Sequence, residues 1–498
     1  MHDSWLPCAR PFGSVVRTDS AQNPAVQTQM RRESRGLRAG DEDEQDAIAV
    51  TAALEGPTLE RLLLPLASPP LDARTGAGQV TWLTTADGWQ LPVRPREVDQ
   101  HGEELMRFTV PSGGSVRASF SPEEGVVRVP FGFEDAYRRY VTEEWKAYRP
   151  IRALSSTQLQ LYYAVKRVIP RRMQLSARRV FARRAGRPTF PRWPLDDSVD
   201  RLLRFYALCL LAAGDSSQAP FRWFWPQSSS AALMLTHDVE SAAGLRLAVD
   251  IADVEEVRGF RSSFNVVGAD YPIDTGILHE LDARGFEIGL HGLRHDRSLF
   301  SSRAEFERQL PGLREAAREL GTVGFRSPST HRVVEWLPEL PASYDCTMFH
   351  SDPYEPQPGG CCTLWPFRLG RIIELPYTLP QDHTLFTLLR ERSAQTWLTL
   401  VDAIEARYGL IHCLSHPDPG YLGESDNRAV YVEFLDALAE RPGLWRALPR
   451  DVASWWRRRE TADPSDAEVG LGTMRRAGPN VWFEPPDGTV PAADADVS

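Results

Sequence analysis

Between roughly residues 225 and 460, short apolar runs alternate with stretches of helical pattern. Ala231–Thr236, Ser262–Val267, Phe286–Leu290, Arg371–Leu375 and Leu410–Leu414 are the apolar runs, short enough to read as buried strands. Ala242–Val257, Asp274–Arg284, Arg303–Leu320 and Ala394–Tyr408 between them read as helices. Strand and helix in alternation predict βαβ units and hence a parallel sheet or barrel, with side chains for chemistry at the C-terminal strand ends.

The rest of the chain has other patterns. Residues 1–57 are polar, include the acidic run Asp41–Glu44, and hold no period for long, which predicts disorder. Residues 58–145 form a small β-rich module on this reading, with strands around Gln79–Thr84, Leu105–Val110, Val116–Phe120 and Val126–Phe131. Residues 146–224 read as a mainly helical connection. From Ile151 to Trp193 this connection contains no acidic residue, and arginines crowd it, Arg171, Arg172, Arg178, Arg179, Arg183 and Arg184 among them. Such a segment suits contact with an anionic membrane or polyanion, although a solvated face paired with acidic neighbours is the plainer reading. Residues 461–498 turn polar and read as a flexible tail in which Trp482 and Phe483 dock locally.

Composition narrows the function classes. With 498 residues the chain is long enough for two or three domains. A net charge of −10 argues against a chain built as a whole to bind nucleic acid, so no nucleic-acid partner is expected. The six cysteines form no C-x-x-C pair and suit a reducing compartment rather than a disulfide scaffold. The first residues, MHDSWLPCAR, carry no apolar core of a leader peptide, and the longest apolar stretch falls far short of a membrane span, so a cytoplasmic location is the expectation. Phosphate-binding loops, the G-x-S-x-G elbow and H-E-x-x-H are all missing from the sequence.

Three features remain, each directly after an apolar run. In Leu235–Glu240, Asp238 and Glu240 are two apart and share a strand face. A helix start would also explain this acidic pair. His291 and His295 are four apart, a spacing that can grip a divalent cation. His416 stands in Leu414-Ser-His-Pro after the last run. Together these supply two histidines and a carboxylate for a metal, a second carboxylate as base and a further histidine as acid. After the fourth run, Tyr377 to Phe386 includes Asp382 and His383. It reads as a structured loop or as a substrate-contact loop over the barrel mouth.

In their order along the chain these motifs resemble those of the polysaccharide deacetylase family, carbohydrate esterase family four. Thr236–Glu240, His291 with His295, Phe325–Pro328, Tyr344–Asp345, Glu374–Pro376 and Leu414–His416 carry the resemblance, over roughly half the chain. It implies an α/β fold, a distorted (β/α) barrel, here with a smaller β-rich and helical region in front. It implies Asp238 as general base, Glu240, His291 and His295 as ligands of a divalent metal (zinc the expected ion), and Arg326 as the group that orients Asp238. His416 would be the acid and Leu414 would line an acyl pocket, with Tyr377 and His383 as substrate contacts. The implied activity is removal of an N-acetyl group from a sugar or glycan by metal-activated water. The sequence departs from the common pattern by Val239 between the two acids, Gly292 after the first histidine and Ser327 in the arginine turn. Hydrolysis of another non-peptide C–N bond on the same barrel, and a non-catalytic scaffold that docks through the basic segment, remain as alternatives. Oligomeric state is not legible in the sequence.

Overall fold

The computed structural model describes residues 57–66, 71–99, 101–149, 188–463 and 465–488. After a short helix α1 (Leu59–Leu63), alternating strands build a first sheet. These are β1 (Leu71–Asp72), β2 (Thr81–Thr84), β3 (Gln90–Val93), β4 (Glu103–Thr109), β5 (Ser115–Ser121) and β6 (Val126–Arg128), in the order β1-β6-β5-β4-β2-β3. The β4–β5 turn runs through Gly113 and Gly114, both at positive φ, a conformation glycine adopts without strain. Helices α2 (Phe133–Val141) and α3 (Ser198–Ala213) pack on this sheet. Phe108 meets Phe131 and Phe205 there, with ring centroids 5.5 and 5.8 Å apart.

Strand β7 (Gln218–Arg222) leads into the second sheet. Its elements are β8 (Ala231–Val239), α4 (Ala242–Glu256), β9 (Ser263–Val266), α5 (Thr275–Ala283), β10 (Glu287–Leu290), α6 (Arg303–Glu319), β11 (Gly324–Phe325) and β12 (Tyr344–Asp345). There follow β13 (Phe367–Leu369), β14 (Ile372–Glu374), α7 (Gln395–Glu405), β15 (Leu410–Ser415), α8 (Ser425–Ala439), β16 (Leu444–Arg446) and α9 (Pro449–Thr461). Ser241, Asp274 and Ser302 start α4, α5 and α6 by accepting from backbone N–H groups of the first turn. The strand order is β13-β14-β12-β11-β10-β9-β8-β15, with β16 beside the start of β8, and every pairing except β13–β14 is parallel. Every residue of β8 is buried, as expected of a strand covered on both faces.

The sheet curls until its ends nearly meet. Thr378 and Leu379, just past β14, both donate their N–H to the carbonyl of His412 on β15 at 3.2 Å, and His412 N–H returns a bond to Thr378 Oγ1 at 2.9 Å. The result is a distorted (β/α) barrel, the form the resemblance implies within the parallel sheet or barrel that the alternation predicts. Its core is continuous with that of the first sheet. At the join, Glu143 takes both guanidinium arms of Arg332, at 2.9 and 2.6 Å, and the N–H of Gly360 at 2.8 Å.

One region differs from the sequence reading. Residues expected to form a flexible tail hold strands β17 (Leu471–Ala477) and β18 (Asn480–Glu484), which pair with β7 as a three-stranded sheet. Polar composition hides a period of two here: Gly472 and Met474, then Val481 and Phe483, turn inward. In the connecting region the described helix is α3; residues 188–197 are irregular before it. The disorder expected for 1–56 and most of the basic segment, 151–187, lie outside the described residues. No helix among the described residues is long and apolar enough to cross a membrane.

Candidate active site

The two-residue period of a strand decides which side chains of β8 and β15 share a face. Thr236 and Asp238 on β8 fall together with His412 and Leu414 on β15, and His416 follows in the loop beyond. His237, Cys413 and Ser415 fall on the opposite face.

Asp238 is held by one oxygen. Its Oδ1 accepts from Arg326 Nη1 at 3.0 Å and from Asn265 Nδ2 on β9 at 2.9 Å, while Oδ2 stands 3.7 Å from His291 Nε2. Burial opposes the charge on Asp238, but the Arg326 guanidinium outweighs it and holds the carboxyl well below the usual range. Arg326, wholly buried, also donates from Nε to the Cys346 carbonyl at 2.8 Å, from Nη1 to Thr236 Oγ1 at 2.9 Å and from Nη2 to His412 Nε2 at 2.9 Å.

Beside Asp238 stand Glu240, His291 and His295. Gly292, at φ +72°, lets the chain turn sharply between the two histidines; a Cβ there would press on the Pro328 ring. His291 Nδ1 donates to the Arg326 carbonyl at 3.0 Å, so its other nitrogen carries the lone pair. That nitrogen, Nε2, is buried and has no hydrogen-bond partner among the described residues. Burial lowers the pKa of His291 to about 4, which keeps the ring neutral. His295 Nε2 reaches Glu240 Oε1 at 2.8 Å. One donor atom from each of these three residues lies within 4.8 Å of the others. An orphaned imidazole nitrogen beside a carboxylate and a second imidazole fits a divalent cation of the zinc type.

The longer arm of Glu240 is fixed at its root. Its N–H donates to Asp418 Oδ2 at 2.9 Å, and Ser241 Oγ donates to Asp418 Oδ1. Gly244 makes room for that carboxylate, since a Cβ would collide with it. His416, on the same loop as Asp418, gives its Nδ1–H to Asp382 Oδ1 at 2.7 Å and its backbone N–H to Asp382 Oδ2 at 2.9 Å. Burial resists a charge on this ring, but Asp382 and Glu240 raise its pKa to about 10. Its Nε2 faces Glu240 Oε1 at 3.8 Å.

Leu414 packs with Phe349 and Tyr377 in a small apolar cluster apart from the main core, and Tyr377 OH donates to Glu355 at 3.0 Å. His383 opens a π-helical turn, His383–Leu389, with its ring 6.0 Å from that of Tyr421, which in turn lies 4.8 Å from His416. The structure thus brings Asp238, Glu240, His291, His295, Arg326 and His416 together, with Leu414 and Tyr377 in a cluster of their own and His383 reached through Tyr421.

Asp382, Asn265 and His412 were not picked out from the sequence as site residues. The signal for the last two is a lone polar residue inside an apolar run, in Ser-Phe-Asn-Val and Leu-Ile-His-Cys. The opposite face of the same strands holds a second polar cluster. His237 Nε2 meets Glu255 Oε1 at 2.7 Å and His237 Nδ1 meets Ser415 Oγ at 2.9 Å. Tyr431 OH and Ser262 Oγ both donate to Glu255 at 2.6 Å.

No protein-family model and no curated protein matches the chain. Among solved structures it is similar to a polysaccharide deacetylase candidate from Mycobacterium smegmatis, at 19% identity and TM-score 0.39, over 47% of this chain and 93% of that one. It is also similar to the PuuE allantoinase, at 17% identity and TM-score 0.37, over 47% of this chain and 92% of that one. A third likeness is to the peptidoglycan deacetylase PdaC from Bacillus subtilis, at 14% identity and TM-score 0.32, over 47% of this chain and 95% of that one. Likeness at this level locates no activity.

Proposed function

We propose that this chain is a metal-dependent hydrolase that removes an N-acetyl or similar acyl group from a sugar of a polysaccharide or glycolipid. The reading rests on the orphaned Nε2 of His291 beside Glu240 and His295, in a cluster that also presents a carboxylate and a proton-bearing imidazole. Glu240, His291 and His295 would hold the cation, expected to be zinc. When bound, a divalent cation polarises an amide carbonyl and acidifies water.

The chain's own residues supply the rest. Asp238 Oδ1 is tied to Arg326 and Asn265, so Oδ2 is the oxygen left to take a proton from water. A carboxylate with so low a proton affinity is a weak base, and it suffices because the water it serves is acidified. An amine is a poor leaving group until protonated, and His416 carries a proton at Nε2 with Asp382 behind it to stabilise the charge. Leu414, Phe349 and Tyr377 would take the acyl methyl. Tyr421 and His383 would form a ring surface for the sugar.

The test is bound metal and acetate release on the same preparations. The expected result is roughly one zinc per chain, lost in His291→Ala, with acetate released from N-acetylated sugars by the wild type alone. Zinc bound as expected, but urea-type or other C–N substrates cleaved in place of acetylated sugars, would move the substrate and keep the site. No metal even after added zinc would sink the mechanism, and leave a metal-independent C–N hydrolase or the scaffold reading, in which the basic segment contacts a membrane or polyanion.

A further inference from the structure

Arg326 needs an acceptor for each of its nitrogens, because a buried guanidinium N–H left unpaired is costly. Nε has the Cys346 carbonyl, Nη1 has Asp238 and Thr236, and Nη2 has His412 Nε2. We propose that His412 is a positioning residue: its ring accepts from Arg326 and so fixes which face of the guanidinium meets Asp238.

The tautomer follows from geometry. His412 Nδ1 lies 3.2 Å from the Leu375 carbonyl, which can only accept, so Nδ1 carries the proton and Nε2 the lone pair. The Nε2 atom is 2.9 Å from both Arg326 Nη2 and Thr236 Oγ1. The ring is wholly buried, and the main chain that carries it is pinned: His412 N–H bonds Thr378 Oγ1, and His412 C=O accepts from Thr378 and Leu379. Burial, with the Arg326 charge adding to it, keeps the ring from protonating, which preserves the acceptor. Without that acceptor, the guanidinium keeps its bonds to Cys346, Thr236 and Asp238 but loses the one that orients Nη2, and Asp238 Oδ1 keeps Asn265 with a less firmly placed Arg326 beside it. His412 touches no proposed substrate or metal position; it acts through Arg326.

The role in catalysis rests on the deacetylase reading, whereas the hydrogen-bond assignment does not, and the experiment separates the two. In the full chain, His412→Leu removes the acceptor at similar volume, and His412→Gln places a side-chain oxygen near the Nε2 position. With zinc loaded, His412→Leu is expected to lower kcat roughly 10- to 100-fold, with KM within about threefold and zinc content unchanged. His412→Gln is expected to recover most of the loss. Wild-type kcat in His412→Leu, or equal loss in both variants, would overturn the proposal. The second readout needs no substrate: 15N shifts of the His412 ring in the zinc-free wild type. A Nδ1–H tautomer with Nε2 accepting supports the proposal, and a proton on Nε2 overturns it. That tautomer in a protein that releases no acetate from any acetylated sugar would fail the deacetylase reading alone.

Discussion

Strands β8 and β15 carry two polar clusters back to back, one per face, and the two differ in how they are closed. The outer cluster, His237, Ser415, Glu255, Tyr431 and Ser262, is fully buried or nearly so, and its bonds close on one another. The inner cluster, Asp238, Arg326, Thr236, His412 and Asn265, is buried as deeply but ends at Asp238 Oδ2 and the unpartnered Nε2 of His291. A histidine, an acid and a hydroxyl stand within hydrogen-bond reach on the outer face, an arrangement that elsewhere activates a nucleophile. Here Ser415 is buried, and no buried side-chain polar atom of the outer cluster is without a hydrogen-bond partner. Burial and dense hydrogen bonding therefore do not mark a site; what sets the inner cluster apart is that it is left open at two adjacent atoms, Asp238 Oδ2 and His291 Nε2.

The largest effect expected is on the open side. On the proposed reading, His291→Ala should lower kcat by on the order of 10³-fold or more while the melting temperature stays within a few degrees, because it would remove a metal ligand and not a packed network. A thermal melt beside a kinetic assay checks both halves. If His291→Ala instead unfolds the protein with little loss of specific activity, the contrast between the faces collapses.

The closed side should respond the other way. Glu255→Ala strands three buried donors, and removal of one partner from such a network costs about 3–5 kcal/mol. Urea unfolding should show that loss, while activity per folded molecule stays within about twofold. A large fall in kcat without loss of stability would place the outer cluster in the chemistry.

A third buried polar cluster, at the seam between the two sheets, sharpens the contrast through pH. Burial opposes the charge of Glu143, but Arg332 and Lys146 outweigh it and bring its pKa to about 2, from an ordinary value of 4.5. A carboxyl depressed on folding adds stability above its unfolded pKa and loses it as pH falls toward the folded value. Glu143 thus contributes at neutral pH, up to about 3 kcal/mol by the size of the shift, and that contribution drains away between pH 4.5 and 2. Unfolding free energies of wild type and Glu143→Gln should differ at pH 6, differ by less at pH 3 and converge only toward pH 2. A constant gap would remove Glu143 as the source.

The smallest effect expected is at the rim. His383→Ala should raise KM for an acetylated sugar by about threefold or less with kcat unchanged, since the ring is placed to support Tyr421 and not to bond the reacting atoms.

The barrel was legible because five of its strands, β8, β9, β10, β14 and β15, and the helices α4 to α7 announce themselves locally, whereas the two-residue strands β11 and β12 are too short to show a period. Asp238, His291 and His416 were legible because each stands one or two residues past an apolar run, where a barrel collects its chemistry. Of their partners, Arg326 came only through the family resemblance, and the bonds of Asp382 to His416 and of Arg326 to His412 were not foreseen. Asp382 binds a histidine 34 residues on, and Arg326 binds one 86 residues on. Neither spacing follows from periodicity, and each exists only once the sheet has curled. The hairpin at 471–484 was missed for another reason: its inward positions are few, and they lie among polar and glycine residues that outweigh them in composition.

His412 has a place in both the barrel and its site. Its main chain carries the bonds that join the two ends of the curled sheet, and its ring carries the last bond to Arg326. The seam of the barrel and the hold of Arg326 on Asp238 are thus one joint. A barrel that breathed open along that line would disarm itself in the same motion, and one that reclosed would be armed before any substrate arrived.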